Sequence, residues 1–160
     1  MSSVSHGDQQ NMALRIVQFL AVVLTALALV PAGAHLFSMP NKITLAQDQY
    51  FIAQSLYRGW FLFGIVLFGA VVANFATAML VFYQGKPFAL AGLAVLCIGL
   101  SLVIFFIWTY PANVATNNWT QAPRNWERLR SQWEYSHAAN AVIIFAGLCA
   151  STLSALATRE

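Results

Sequence analysis

The sequence predicts an all-α fold, a bundle of four transmembrane helices with two long polar loops on one side of the membrane. Three observations carry this prediction. The first is composition: of 160 residues, 59% are hydrophobic and 8% charged, whereas a soluble domain carries about 25% charged residues. The second is four apolar runs, residues 16–37, 60–83, 87–110 and 138–157, none containing Asp, Glu, Lys or Arg. Each reaches the roughly 20 residues that cross a hydrocarbon core, and a helix satisfies its own backbone hydrogen bonds in lipid. The third is the unequal connections, one tight turn and two long polar segments.

The chain reads as a polar tail over residues 1–14 and one transmembrane domain over residues 15–158. Arg15, the apolar run after it and Ala32-Gly33-Ala34 have the outline of a signal peptide. The length of the run and its polar stripe favour an uncleaved helix. Gln84-Gly85-Lys86-Pro87 makes the tight turn between the second and third spans. The first long connection opens at Ser38-Met39-Pro40-Asn41-Lys42. Thr44 stands three residues before Gln47, the spacing of a capping box, and predicts a helix running on into the second span. Pro111 disfavours helix at the residue before it, so the third span is expected to stop at Tyr110. An ordered loop follows, then a helix from Pro123 into the fourth span, projecting roughly 20 Å beyond the hydrocarbon.

Charge excludes some functions and leaves orientation weakly marked. The net charge of +3 comes from eight scattered Lys and Arg, which form no basic patch for nucleic acid. Arg15, Lys86 and Arg159 lie on the termini side. Lys42, Arg58, Arg124, Arg128 and Arg130 lie on the long-loop side, which the positive-inside rule reads as cytoplasmic. Cys97 and Cys149 lie in apolar runs on different helix faces and are expected to stay unpaired. No CxxC, nucleophile motif or phosphate loop is present.

Packed membrane helices bury small and polar side chains. The first span sets Gln18, Ala21, Thr25, Ala28, Ala32 and His35 on one face, with Pro31 a candidate kink. The fourth repeats the device with Trp126, Arg130, Trp133, His137, Asn140, Ile144, Gly147, Ser151 and Ser154. The second offers Trp60, Ala70, Asn74 and Thr77. The third offers Ala94, Cys97, Ser101, Ile104 and Trp108. His35 and His137 therefore both point inward at the long-loop end, beside Arg58, and ionisable groups within a membrane are costly and usually functional. A shared cavity is expected between them, roofed by residues 41–44 and 113–119. Two inward imidazoles suit three chemistries. They can bind a divalent metal, with Glu134 as third ligand; they can ligate a haem; or one can act as general base with Asn and Arg donors on a developing oxyanion. Arg130 and Glu134, four apart, also fit a helical ion pair.

Several segments carry a resemblance: Pro31-Ala32-Gly33-Ala34-His35, Pro40-Asn41-Lys42, Tyr57-Arg58-Gly59-Trp60, Pro111-Ala112-Asn113, Asn125-Trp126-Glu127 and Trp133-Glu134-Tyr135-Ser136-His137-Ala138-Ala139-Asn140. Over residues 16–157 the chain resembles the anthrone-oxygenase-like family of small four-helix membrane proteins. The resemblance implies oxidation of an anthrone or another lipid-soluble aromatic or quinone-like molecule, without a classical cofactor. On that expectation His35 or His137 is the base, and Arg58, Asn113 and Asn140 hold the enolate oxygen. Trp119 and Trp133 stack on aromatic rings, and Asn41, Lys42, Asn117 and Arg130 complete the substrate-binding set. A haem- or metal-binding redox subunit is the alternative, and a membrane scaffold or small transporter the third reading. The lipid bilayer is the expected partner, and a homo-oligomer is compatible with the sequence.

Overall fold

The computed structural model describes residues 6–158. Helix α1 (His6–Lys42) is followed by the short α2 (Gln47–Ser55), then a 3-10 turn (Trp60–Leu62) that leads into α3 (Phe63–Tyr83). Helix α4 (Ala89–Ile104) continues through a π-helical segment (Phe105–Thr109) into α5 (Tyr110–Ala115), and α6 (Trp126–Ala157) completes the chain. Four helical units, Gly7–Lys42, Trp60–Tyr83, Ala89–Ala115 and Trp126–Ala157, are long and apolar enough to cross a membrane. Helix α1 packs against α3 and α6, and α4 packs against the same two. The four units thus close into a ring, with α1 and α6 antiparallel neighbours.

The expected stripes are the buried faces. Gln18, Ala21, Thr25, Ala28, Ala32 and His35 are all buried, and Phe19, Phe68, Leu96 and Phe145 face outward. From Arg15 to His35, and again from His137 to Ala157, α-helical rise gives about 30 Å, the thickness of a hydrocarbon core. The two histidines therefore mark one boundary of the apolar bundle. Beyond it α6 projects roughly 16 Å from His137 to Trp126, somewhat less than the sequence suggests because the helix starts at Trp126 rather than Pro123.

Other boundaries also differ. The polar tail is helical from His6; its residues 1–5, and Arg159, lie outside the described residues. Pro40 lies within α1, so Asn41 and Lys42 belong to its last turn rather than to a loop. So close to the helix end, few backbone bonds remain for proline to break. Thr44 is no cap: Ala46 holds that position, with no side-chain bond. The α2 helix does not run on into the second span, because the chain turns at Gly59, whose φ of 91° suits a residue without Cβ. The third helical unit does not stop at Tyr110. There the Tyr110 N–H bonds to the Phe105 carbonyl, a π turn that makes room for the Pro111 ring, which would crowd the preceding turn. That turn also shifts the helical phase, and Trp108, expected inward, is exposed. Both cysteines are free, as expected.

The core changes character with depth. At the termini end Gln18 Nε2 donates to Thr158 Oγ1 at 2.7 Å, and Lys86 Nζ reaches the Thr158 carbonyl at 3.3 Å. Mid-bundle, Asn74 Nδ2 donates to Thr25 Oγ1 at 2.9 Å, and Ser151 donates to Asn74 Oδ1. One side chain on α3 thereby ties α1 to α6. Between this level and the histidines Ala32, Ile98, Ala141 and Ile144 form an apolar cluster, with Ser101 and Asn140 also buried in this stretch.

Interhelical hydrogen bonds in membranes contribute on the order of 0.6 to 1.7 kcal/mol each. Asn74→Ala removes two and orphans Thr25 and Ser151, so it is expected to destabilise the bundle by about 1–3 kcal/mol. Unfolding in mixed detergent micelles measures this, and an unchanged midpoint would show that Asn74 is not the tie between α1 and α6.

Candidate functional site

The site forms where α1 ends, α3 begins and α6 leaves the apolar zone. His35 is 4% exposed, on the face that sequence periodicity assigned to it. Its ring centroid lies 4.3 Å from His137, 4.7 Å from Trp133 and 4.3 Å from Tyr57. Trp60 closes the nest at 5.7 Å from His35, and the Trp133 and His137 rings are 4.2 Å apart. His137 keeps part of its surface exposed. The His35 Nδ1 atom is buried without a hydrogen-bond partner, and so is Asn140 Oδ1, one turn further along α6 from His137.

Above the nest lies a buried ion pair, Lys42 Nζ to Glu134 Oε1 at 3.0 Å, the two side chains 7% and 0% exposed. The ammonium also lies over the Tyr57 ring at 4.8 Å and the Trp133 ring at 5.2 Å, within cation–π range. Helix α2 supplies the next layer: Tyr50 donates to Glu134 Oε1 at 3.0 Å, and Gln54 Nε2 donates to the Tyr50 oxygen. Burial, then the Glu134 charge, pushes the Tyr50 phenol above its ordinary range. Glu134 Oε2 has no hydrogen-bond partner.

An aromatic cap covers this pair, built from Tyr50, Trp119, Leu129 and Trp133 with Phe51 and Trp126 against them. Asn113 positions two of its rings: the Trp119 and Trp133 indole N–H groups both donate to Asn113 Oδ1, at 3.2 and 2.8 Å. Asn117, Asn118 and Trp119 have φ of 48°, 53° and 63°, a left-handed turn unusual for so bulky a residue as Trp. The buried indole and its bond to Asn113 hold it there.

Several expected roles need correction. Arg58 is exposed in the turn after α2, and Asn41 and Asn117 are exposed too, so these three do not reach the nest. Arg130 does not pair with Glu134: its Nη1 donates to the Leu45 carbonyl at 2.7 Å and its guanidinium lies over Trp126 at 4.6 Å. Glu134 takes Lys42 instead, because a fully buried carboxylate needs a close cation. No shared cavity separates the histidines, since rings 4.3 Å apart are in contact. That contact leaves no space for a haem plane between them. Among the described residues no three His, Cys, Asp or Glu side chains converge as a metal site, so His35, Glu134 and His137 do not form the expected ligand set. A cleft of about 510 Å³ lies at the opposite end, beside Arg15.

Sequence reasoning misses Tyr50 and Gln54, and Tyr57 enters it only within the segment Tyr57-Arg58-Gly59-Trp60. Their signal was faint: Tyr50 and Gln54 are four apart in a short polar helix. The chain matches no protein-family model, no curated protein and no solved structure. The chemistry available to the site follows from its own residues.

Truncating one partner of a buried pair strands the other charge, at a cost of about 3–5 kcal/mol. Lys42→Met and Glu134→Leu should each show that loss, and the double variant should recover most of it. Additive losses in unfolding would show that the pair is not coupled. Tyr50 adds a pH signature. Its phenol ionises near pH 10 in the unfolded chain but stays protonated in the folded one, so stability falls as pH rises above about 10. Tyr50→Phe should flatten that fall, and an identical slope in the variant would refute the assignment.

Proposed function

We propose that this chain is a multi-pass integral membrane enzyme that oxidises a lipid-soluble aromatic substrate of the anthrone type, with the paired histidines taking the proton. The observation that carries the reading is the contact of His35 with His137 at one boundary of an apolar bundle, with His35 Nδ1 buried and unpartnered. A neutral imidazole carries a ring-nitrogen lone pair that can accept a proton. His137, part-exposed, meets the substrate, while the buried His35 packs against its ring and supports it.

The chemistry needs little beyond a base. An anthrone carries an acidic carbon–hydrogen bond on the methylene that lies across the central ring from its carbonyl. His137 accepts that proton, and the electron pair is delocalised onto the carbonyl oxygen as an enolate. The Lys42 charge is already matched by Glu134 at 3.0 Å, so the enolate is stabilised by delocalisation over the fused rings. The carbanion form gives its electrons to dioxygen, a carbon–oxygen bond forms, the peroxide takes the proton back from His137, and the resulting hydroperoxide loses water to leave the quinone. Anthrone plus dioxygen gives anthraquinone plus water, which balances without another oxidant. Substrate and dioxygen both dissolve in lipid, which suits a site at the hydrocarbon boundary. Asn113 serves as a positioning residue for Trp119 and Trp133.

Proteoliposomes supplied with an anthrone under air test this by quinone absorbance. The protein should accelerate conversion over empty liposomes, and His137→Ala should slow it by about 10² to 10⁴. Arg58→Gln and Asn41→Ala should stay near wild type. No acceleration by the wild-type protein would reject the substrate class. Full turnover in both His137→Ala and His35→Ala would reject the histidine base.

A further inference from the structure

At the end opposite the histidines, α1 and α6 leave between them a cleft of about 510 Å³, walled by Phe19, Val22, Thr152, Ala155 and Leu156, with Arg15 at its mouth. Such a volume lies within the range of ligand clefts. We propose that this cleft binds one anionic phospholipid, its phosphate at Arg15 and the upper part of an acyl chain along the apolar walls.

Three features point to that occupant. The cleft opens on the outer surface of the bundle, where Phe19 and Leu156 are exposed, so it meets the hydrocarbon rather than a protein core. Arg15 is exposed and stands where the apolar run begins, the level of lipid phosphates, and guanidinium binds phosphate in a bidentate fork. From Arg15 to Val22 the cleft runs about 10 Å down α1, in the direction an acyl chain takes from its headgroup. The floor is closed: Gln18 is buried, and its amide is engaged by Thr158 at 2.7 Å. The cleft therefore presents one cation at its top and apolar wall below, as a phospholipid requires.

The inference rests on the bilayer location proposed above, and the test separates the two. Alkaline carbonate extraction of membranes comes first; release of the protein into the supernatant would overturn the bilayer location and this site with it. Native mass spectrometry of the detergent-purified full chain, given equal phosphatidylglycerol and phosphatidylcholine, then reads the site. Wild type should retain phosphatidylglycerol about fivefold better, the worth of one interfacial Lys or Arg. Arg15→Gln, a change at an exposed position, should bring the ratio close to one. Ala155→Phe, which fills the cleft, should reduce retention of both lipids, and Arg124→Gln at the far end should change nothing. A preference that survives Arg15→Gln, or falls equally with Arg124→Gln, overturns the site in favour of diffuse charge attraction. A dimer dissociated by Ala155→Phe overturns it in favour of a second copy of the chain.

Discussion

The long-loop end of the molecule depends on the ion pair between Lys42 and Glu134. Both groups are removed from water, and the desolvation of two charges is repaid only when geometry is close and further hydrogen bonds are made. Here one carboxylate oxygen meets the ammonium and accepts from the Tyr50 hydroxyl, while Lys42 Nζ and Glu134 Oε2 have no hydrogen-bond partner. The ammonium is flanked by the faces of Tyr57 and Trp133. Because Lys42 ends α1 and Glu134 lies on the projecting part of α6, the pair fixes the register of these antiparallel helices. With that register set, His35 and His137 must meet.

The pair also explains why α2 and the second loop fold back as they do. A buried carboxylate draws in donors, and α2 supplies Tyr50 with Gln54 behind it. Aromatic rings then exclude water from the pair, and Asn113 accepts from two indoles so that neither buried N–H is left without a partner. The strained left-handed turn at Asn117, Asn118 and Trp119 is sustained by that packing. Such strain persists only where surrounding contacts over-determine the backbone.

The bundle below is organised differently. Its lower half is tied by neutral polar side chains, above all Asn74, and its upper half by small apolar ones around Ile98. Charge is confined to the two ends, as the cost of ionised groups in hydrocarbon requires. An aromatic-walled nest with a buried ion pair above it marks one end of the bundle, and an arginine-headed cleft the other.

Much of this was legible in the residues. The four spans, the buried faces of α1 and α6 and the common depth of His35 and His137 follow from helical periodicity and from the cost of exposing polar groups to lipid. These signals are local and repeat every three or four residues, so one chain carries them openly. The partners of Glu134, Arg130 and Asn113 were not legible. Arg130 at four residues from Glu134 promised a local pair, yet a cation from the end of α1, 92 positions away in numbering (42 to 134), took the carboxylate. Nor did sequence show that Pro40 would stay inside α1, or that a π turn would carry the third helix past Pro111. Sequence alone determined which faces avoid lipid. Only the tertiary structure decided which charge meets which, because that choice depends on the relative depth and rotation of helices set by the packing of the whole bundle.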